Sequence, residues 1–151
     1  MIVLPSGLPC DISDEESLAR FITSSGWFAA QTGRIKHAAF LPAPDHETSV
    51  YRTDLLSTEA IREKGLHAAG DRSLHGAAIV RAGACRKATI APHAKEPPTH
   101  HANLTGWPRD EKDPELQKSR RKLIAIEIAE DARWLPLHSD QPTLCAAPRS
   151  C

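Results

Sequence analysis

Apolar positions along this chain come in short runs divided by proline, glycine and small polar clusters. The stretch 1–10, with Pro5, Gly7 and Pro9, reads as an irregular lead-in. Asp11-Ile12-Ser13-Asp14-Glu15-Glu16 then predicts a helix start. Ser13 serves as the cap, Glu16 as its capping-box partner, and acidic side chains favour a first turn. Leu18, Phe21 and Ile22 give that helix an apolar stripe, and Ser24-Ser25-Gly26 stops it. A short strand is expected from Ile35 to Leu41, closed by Pro42 and Pro44, and another over Ser49-Val50-Tyr51-Arg52-Thr53. Ser57 to Gly65 reads as a compact helix, with Ser57 as N-cap and Gly65 just past its end. Leu74 to Arg81 and Ala88 to Ala91 predict one or two strands around a turn at Gly83.

Pro92 to Asp113 is rich in proline and histidine and reads as a long loop, the kind of segment that carries function in small domains. The clearest helix follows. Asp113 caps it, Pro114 takes the first helical position and Glu115 complements the dipole. Leu116, Leu123, Ile124, Ile128, Ala129, Ala132 and Leu135 are expected to cover one broad apolar face, with Lys118, Arg120, Arg121 and Lys122 opposite. Pro136 ends the helix, and 136–151 is expected to be a disordered tail. The order helix, strand, strand, helix, strands, loop, helix predicts a single α+β domain over 11–135. Its small mixed or antiparallel sheet would carry helices packed on it.

Composition narrows this picture. The chain has 151 residues, the usual size of one domain, and buries roughly two-thirds of its unfolded surface without staples. Aromatics make up only 5%, so the core must rest on Leu, Ile, Val and Ala. Lys and Arg number 19 and Asp and Glu also 19, for a net charge of +0. A dedicated nucleic-acid binder usually carries a basic excess, so nucleic acid is not the expected partner. Cys10, Cys85, Cys145 and Cys151 show no C-x-x-C spacing. The start Met1-Ile2-Val3-Leu4-Pro5 lacks the form of a signal peptide, and no apolar run reaches the roughly 20 residues that span a bilayer. The expectation is a cytoplasmic protein with reduced thiols and no membrane partner.

Candidate chemistry gathers in two places. His93, His100 and His101 stand ahead of Asn103 and Trp107. No carboxylate or cysteine lies at recognised ligand spacing, and adjacent histidines point apart on extended backbone, so no metal site is expected. One reading makes His101 and Asn103 ligand contacts; the other has them satisfying loop backbone while Trp107-Pro108 packs under the last helix. The second place is Tyr51-Arg52-Thr53, where an arginine fork suits a phosphate or carboxylate and the helix start at Ser57 adds a favourable dipole. The competing reading pairs Arg52 with Asp54 or Glu59 at the surface. The basic run Lys118-Ser119-Arg120-Arg121-Lys122 fits a solvated helix face. The chain lacks the phosphate-loop, dinucleotide, serine-hydrolase-elbow and zincin signatures.

Phe40-Leu41-Pro42, Ser49-Val50-Tyr51-Arg52-Thr53 and His101-Ala102-Asn103-Leu104-Thr105-Gly106-Trp107-Pro108 together resemble a group of short uncharacterised bacterial proteins with FLP, SVYRT-like and HAN-x-x-GWP motifs. The likeness runs from about Gly26 to Leu135 and implies no particular activity. That group's pattern places an arginine before the HAN histidine, where this chain has His100. Tyr51-Arg52-Thr53 followed by Ser57 to Gly65 is also similar to the opening of ADP-ribosyltransferase-like domains, although no glutamate stands on a late predicted strand. Fold-level likeness alone implies no function.

These observations support a ligand-binding or enzymatic domain acting on a phosphate-bearing small molecule such as a nucleotide. Arg52 would hold the anion, His101 would act as acid/base, and Tyr51, Thr53, Asn103 and Trp107 would line the pocket. No cofactor is specified. The alternative is a non-catalytic interaction module, a homo-oligomer or accessory subunit; a nucleic-acid-associated protein comes third.

Overall fold

The segment expected to open as a helix is a strand. In the computed structural model, which describes residues 3–137, Ser17–Ile22 forms β1. The physical reason is burial on both sides: Leu18 and Ile22 enter one core while Ala19 and Phe21 enter another. A helix offers one stripe to a core, whereas a strand places alternate residues on opposite faces. Glu16, expected in a capping box, is instead buried at the strand's entrance.

The strand expected from Ile35 to Leu41 is shorter and lies elsewhere. Phe28–Ala29 (β2) and Arg34–Ile35 (β3) form a separate two-stranded ribbon, and His37–Ala39 turns as a 3-10 helix. Thr48–Arg52 (β4) matches its prediction within a residue. Thr58–Ala69 is α1, and Ser57 caps it by accepting a 3.1 Å bond from Ala60 N. The helix runs through Gly65 and stops at Gly70, whose φ of +61° suits glycine. Gly65 serves packing instead: a Cβ there would stand 2.9 Å from the Phe21 ring and from Leu74 Cδ2.

Gly76–Arg81 (β5) is followed by a short helix, Ala82–Lys87 (α2), where a turn at Gly83 is expected from sequence. The segment Pro92 to Asp113, expected as one long loop, contains two strands. Ala91–Ala94 (β6) and His101–Thr105 (β7) pair antiparallel. Pro92 is tolerated because β6 is an edge strand. Pro114–Asp131 (α3) is capped by Asp113 as expected, but it ends before Arg133–Pro136 (β8). Leu135 therefore belongs to the sheet. The broad apolar face reduces to Ala125, Ile128 and Ala129, while Leu116 and Leu123 are 43% and 68% exposed.

The main sheet runs β6-β7-β4-β1-β5-β8 with every neighbouring pair antiparallel, an α+β arrangement. Helices α2 and α3 cover one face over Leu18, Val50, Val80 and Leu104. Helix α1 covers part of the other, over Ala19, Phe21 and Ile79. Leu137, placed in the tail by the sequence pattern, is buried, and the rest of the expected tail, 138–151, lies outside the described residues. Among the described residues no helix is long and apolar enough to cross a membrane.

Candidate functional site

Register brings the two candidate segments together. Tyr51 pairs with His101 and Ser49 with Asn103 across β4 and β7, so the side chains of all four rise from the sheet face that α1 leaves partly open. The His101 ring is held at both nitrogens. Nδ1 lies 2.9 Å from the Lys95 carbonyl oxygen, and Nε2 lies 2.7 Å from Ser49 Oγ. A carbonyl only accepts, so in the neutral ring Nδ1 carries the proton and Nε2 accepts from the Ser49 hydroxyl. The Tyr51 ring meets the imidazole edge-on at 5.2 Å, and burial pushes the Tyr51 phenol pKa up. Asn103 Nδ2 donates to Glu47 Oε1 at 2.6 Å.

A second feature stands beside this pair. Strands β1 and β4 stay in register only at Leu18↔Arg52 and Ala19↔Tyr51. Beyond them Arg20 bridges the gap: Nε donates to the Ala39 carbonyl at 2.6 Å and Nη1 to the Ser49 carbonyl at 3.1 Å. Its guanidinium carbon lies 4.9 Å from the centre of the Trp27 ring. Burial, and then the charge of Arg72, draw the Arg20 pKa down to about 10, which leaves it charged at neutral pH. Arg72 is fixed at the end of α1 by bonds to the Ala69 and Ala68 carbonyls.

The ion pairs among the described residues are Arg52–Glu16, Arg86–Asp14 and Arg109–Glu111, so neither Arg20 nor Arg72 faces a carboxylate. Together with Thr23, Ser49 and Tyr51 they line a cleft of about 100 Å³. Tyr51 also borders a wider hollow of about 440 Å³ between α1 and the β6–β7 connection, with Lys64, His67 and Thr99 on its walls. Lys64 Nζ ties those walls together through Thr99 Oγ1 at 3.0 Å.

The remaining candidates fall elsewhere. Arg52 follows Tyr51 and so points to the opposite face, where it is buried. It is paired with Glu16, neither Asp54 nor Glu59, and it also donates to the Pro9 carbonyl at 2.7 Å and the Asp11 carbonyl at 3.4 Å. Arg52 and His101 therefore share no cleft. Thr53 closes the end of β4 by donating to the Ser17 carbonyl at 3.2 Å. Trp107 is buried in the α2–α3 core and donates to the Leu104 carbonyl at 3.2 Å. His100 sits at φ +71° with its Nδ1 buried and unpartnered, and His93 is exposed.

Burial pushes the Cys85 thiol up to about 12, which leaves it unreactive. Among the described residues no three His, Cys, Asp or Glu side chains converge as a group able to hold a metal ion. On the basic helix, Arg121 is engaged by the Pro108 carbonyl and by His46 Nδ1.

Of the residues that come together here, the sequence singles out His101, Tyr51 and Asn103 but not Ser49, Arg20 or Arg72. Alternation in Ser49-Val50-Tyr51 against His101-Ala102-Asn103 could have aligned the first of these with the histidine. Arg20 was hidden by the helix expected there, in which it would face solvent. Arg72 has no local signal, because its place depends on where α1 ends. Comparison of the chain with known protein families, curated proteins and solved structures gives no match.

Proposed function

We propose that the protein binds a phosphate-bearing small molecule in the cleft between Arg20 and Arg72. The observation that carries this reading is a pair of guanidinium groups, one of them part-buried, that share a cleft without an acidic partner among the described residues. A cation withdrawn from water is costly unless an anion or hydrogen bonds compensate it. Arg20 Nη2 and Arg72 Nη1 make no hydrogen bond within the described residues, so each keeps donors for an incoming oxyanion. Thr23 also lines the cleft and its hydroxyl adds a neutral donor, and the wider hollow beyond Tyr51 has room for the body of the ligand. The anion-holding role expected of Arg52 thus passes to Arg20 and Arg72, while Tyr51 and His101 keep their places beside it. A nucleotide is one such ligand.

Titration calorimetry with inorganic phosphate and adenosine monophosphate tests this. Saturable binding is expected, weakened about tenfold or more in Arg72→Gln, the loss of one charge-assisted contact. Absence of heat and of thermal stabilisation with both ligands would sink the reading. We place the protein in the cytoplasm, in keeping with free thiols at Cys10 and Cys85. A second reading, a protein-interaction module, draws on the exposed Leu116 and Leu123, two turns apart on α3. A monodisperse monomer by light scattering, with no change on mixing with cell extract, would remove it.

A further inference from the structure

We propose that Ser49 is a nucleophile activated by His101, and that the site cleaves a carboxylic ester borne on a small anionic molecule. The substrate class rests on the anion-binding reading above; the nucleophile stands on separate geometry. Three observations converge. Ser49 Oγ and His101 Nε2 are 2.7 Å apart, and the Lys95 carbonyl fixes the opposite ring nitrogen at 2.9 Å. That is the arrangement a nucleophile, its base and an orienting group require. The carbonyl takes the place that a carboxylate fills in a serine–histidine–aspartate triad: it holds the tautomer, though it offers less charge to the imidazolium. Ser49 also lines the arginine cleft and is only part-buried, which puts the nucleophile's residue on the wall of the anion site.

A structural bond alone accounts for less. A serine that only satisfied the histidine would not need to open onto a cationic cleft. Arg20 brings a fixed positive charge to the same residue, its Nη1 donating to the Ser49 carbonyl oxygen at 3.1 Å. It is therefore placed to stabilise negative charge developing beside the hydroxyl. Acyl transfer concentrates that charge on one oxygen. Phosphoryl transfer spreads it over three equatorial oxygens, with attacking and leaving atoms in line. A single histidine relay suits the former.

The chemistry balances with water as the only co-reactant. Ser49 Oγ bonds to the ester carbon as its proton passes to His101 Nε2. The bond from that carbon to the alcohol oxygen breaks, and the imidazolium returns the proton to the leaving alcohol. Water then attacks the acyl-serine and gives a proton to His101, the Ser49 ester bond breaks, and Ser49 recovers its proton. A carboxylic acid and an alcohol result. His101 acts in turn as base and acid.

The full chain is treated with phenylmethylsulfonyl fluoride and examined by intact mass and peptide mapping. A single adduct on Ser49 is expected, absent in Ser49→Ala and slowed at least about tenfold in His101→Gln, the low end of a general-base contribution. Inorganic phosphate should protect Ser49. Circular dichroism on each variant separates loss of reactivity from loss of fold. Hydrolysis of 4-acetoxybenzoate, an anionic ester, is then compared with that of neutral phenyl acetate. The anionic ester should be favoured about tenfold in kcat/KM, a preference lost in Arg72→Gln. No adduct on Ser49 in folded protein overturns the nucleophile. Equal turnover of the two esters overturns the substrate class, and a phosphoryl-serine formed from 4-nitrophenyl phosphate overturns acyl transfer. Failure of phosphate to bind in the calorimetry, with Ser49 still labelled, overturns the anion site alone.

Discussion

At the scale of single residues, Arg52 and His100 show how position rather than type sets a role. Arg52 is enclosed, and its charge is met by Glu16 and by the Pro9 and Asp11 carbonyls. Its hydrogen bonds therefore fasten the lead-in to the sheet. Arg52→Ala strands the Glu16 carboxylate, and breaking a buried pair from one side costs about 3–5 kcal/mol. Denaturant unfolding should show that loss, and the double variant E16M/R52M should recover most of it. An Arg52→Ala protein as stable as the parent would contradict this. His100 supplies the pH response. Burial, then Lys64 and Arg52, lower its pKa, with Glu96 opposing them. A base whose pKa is depressed by folding binds fewer protons when folded, so its contribution is present above the ordinary histidine value. That contribution is lost as pH falls through the depressed one. Glu96 is driven up by burial, but bonds from Ser6 and the His100 amide outweigh this and lower its pKa. Its share is lost lower still, as pH falls through its own depressed value. Calorimetric scans should show the melting temperature falling between pH 7 and pH 5. His100→Asn, which tolerates positive φ, should flatten that fall.

At the scale of elements, the strand pair β5–β8 depends on an absent side chain. A Cβ at Gly76 would lie 2.5 Å from the Leu135 carbonyl oxygen and 2.6 Å from the Trp134 ring. The first of these is backbone and cannot step aside as a flexible side chain would. Gly76→Ala should cost about 1–3 kcal/mol by overpacking and shift tryptophan fluorescence as Trp134 is displaced from its 4.5 Å stack on Phe28. An unchanged unfolding midpoint would count against the close packing. The helices α1 and α3 were legible because their signals are local: Ser57 and Asp113 cap where expected, and Pro114 begins the turn. Helix α2 and strands β6 and β7 were not. Ala82–Lys87 is too short for a periodic stripe, and the prolines of the β6–β7 region conceal strands whose partners are supplied by the fold.

At the scale of the whole molecule, a net charge of +0 hides an uneven distribution. Arg20 and Arg72 line one cleft whose walls hold no carboxylate, so the proposed anion site is local and owes little to the overall field. Its affinity for phosphate should fall with added salt, but less for the part-buried Arg20 contact than for exposed Arg72. The two cores show how an α+β domain with few aromatics is filled. Six antiparallel strands present alternate Ala, Val, Ile and Leu to both faces, and small residues let the helices approach.

The sequence by itself determined the class of fold, β4, two capped helices and the histidine-bearing segment. Each is written in contiguous residues through caps, breakers and short periodicity. Tertiary structure alone decided that Leu18 to Ile22 is a strand, because burial on two faces requires a second helix layer that no local pattern announces. It also decided which residues of the candidate site come together. Ser49 meets His101 from 52 positions away through the register of β4 and β7. Arg20 meets Arg72 only where α1 ends beside diverging strands. The histidine segment supplied one half of a pair, and its partner was fixed by strand register, a long-range property that neighbouring residues do not encode.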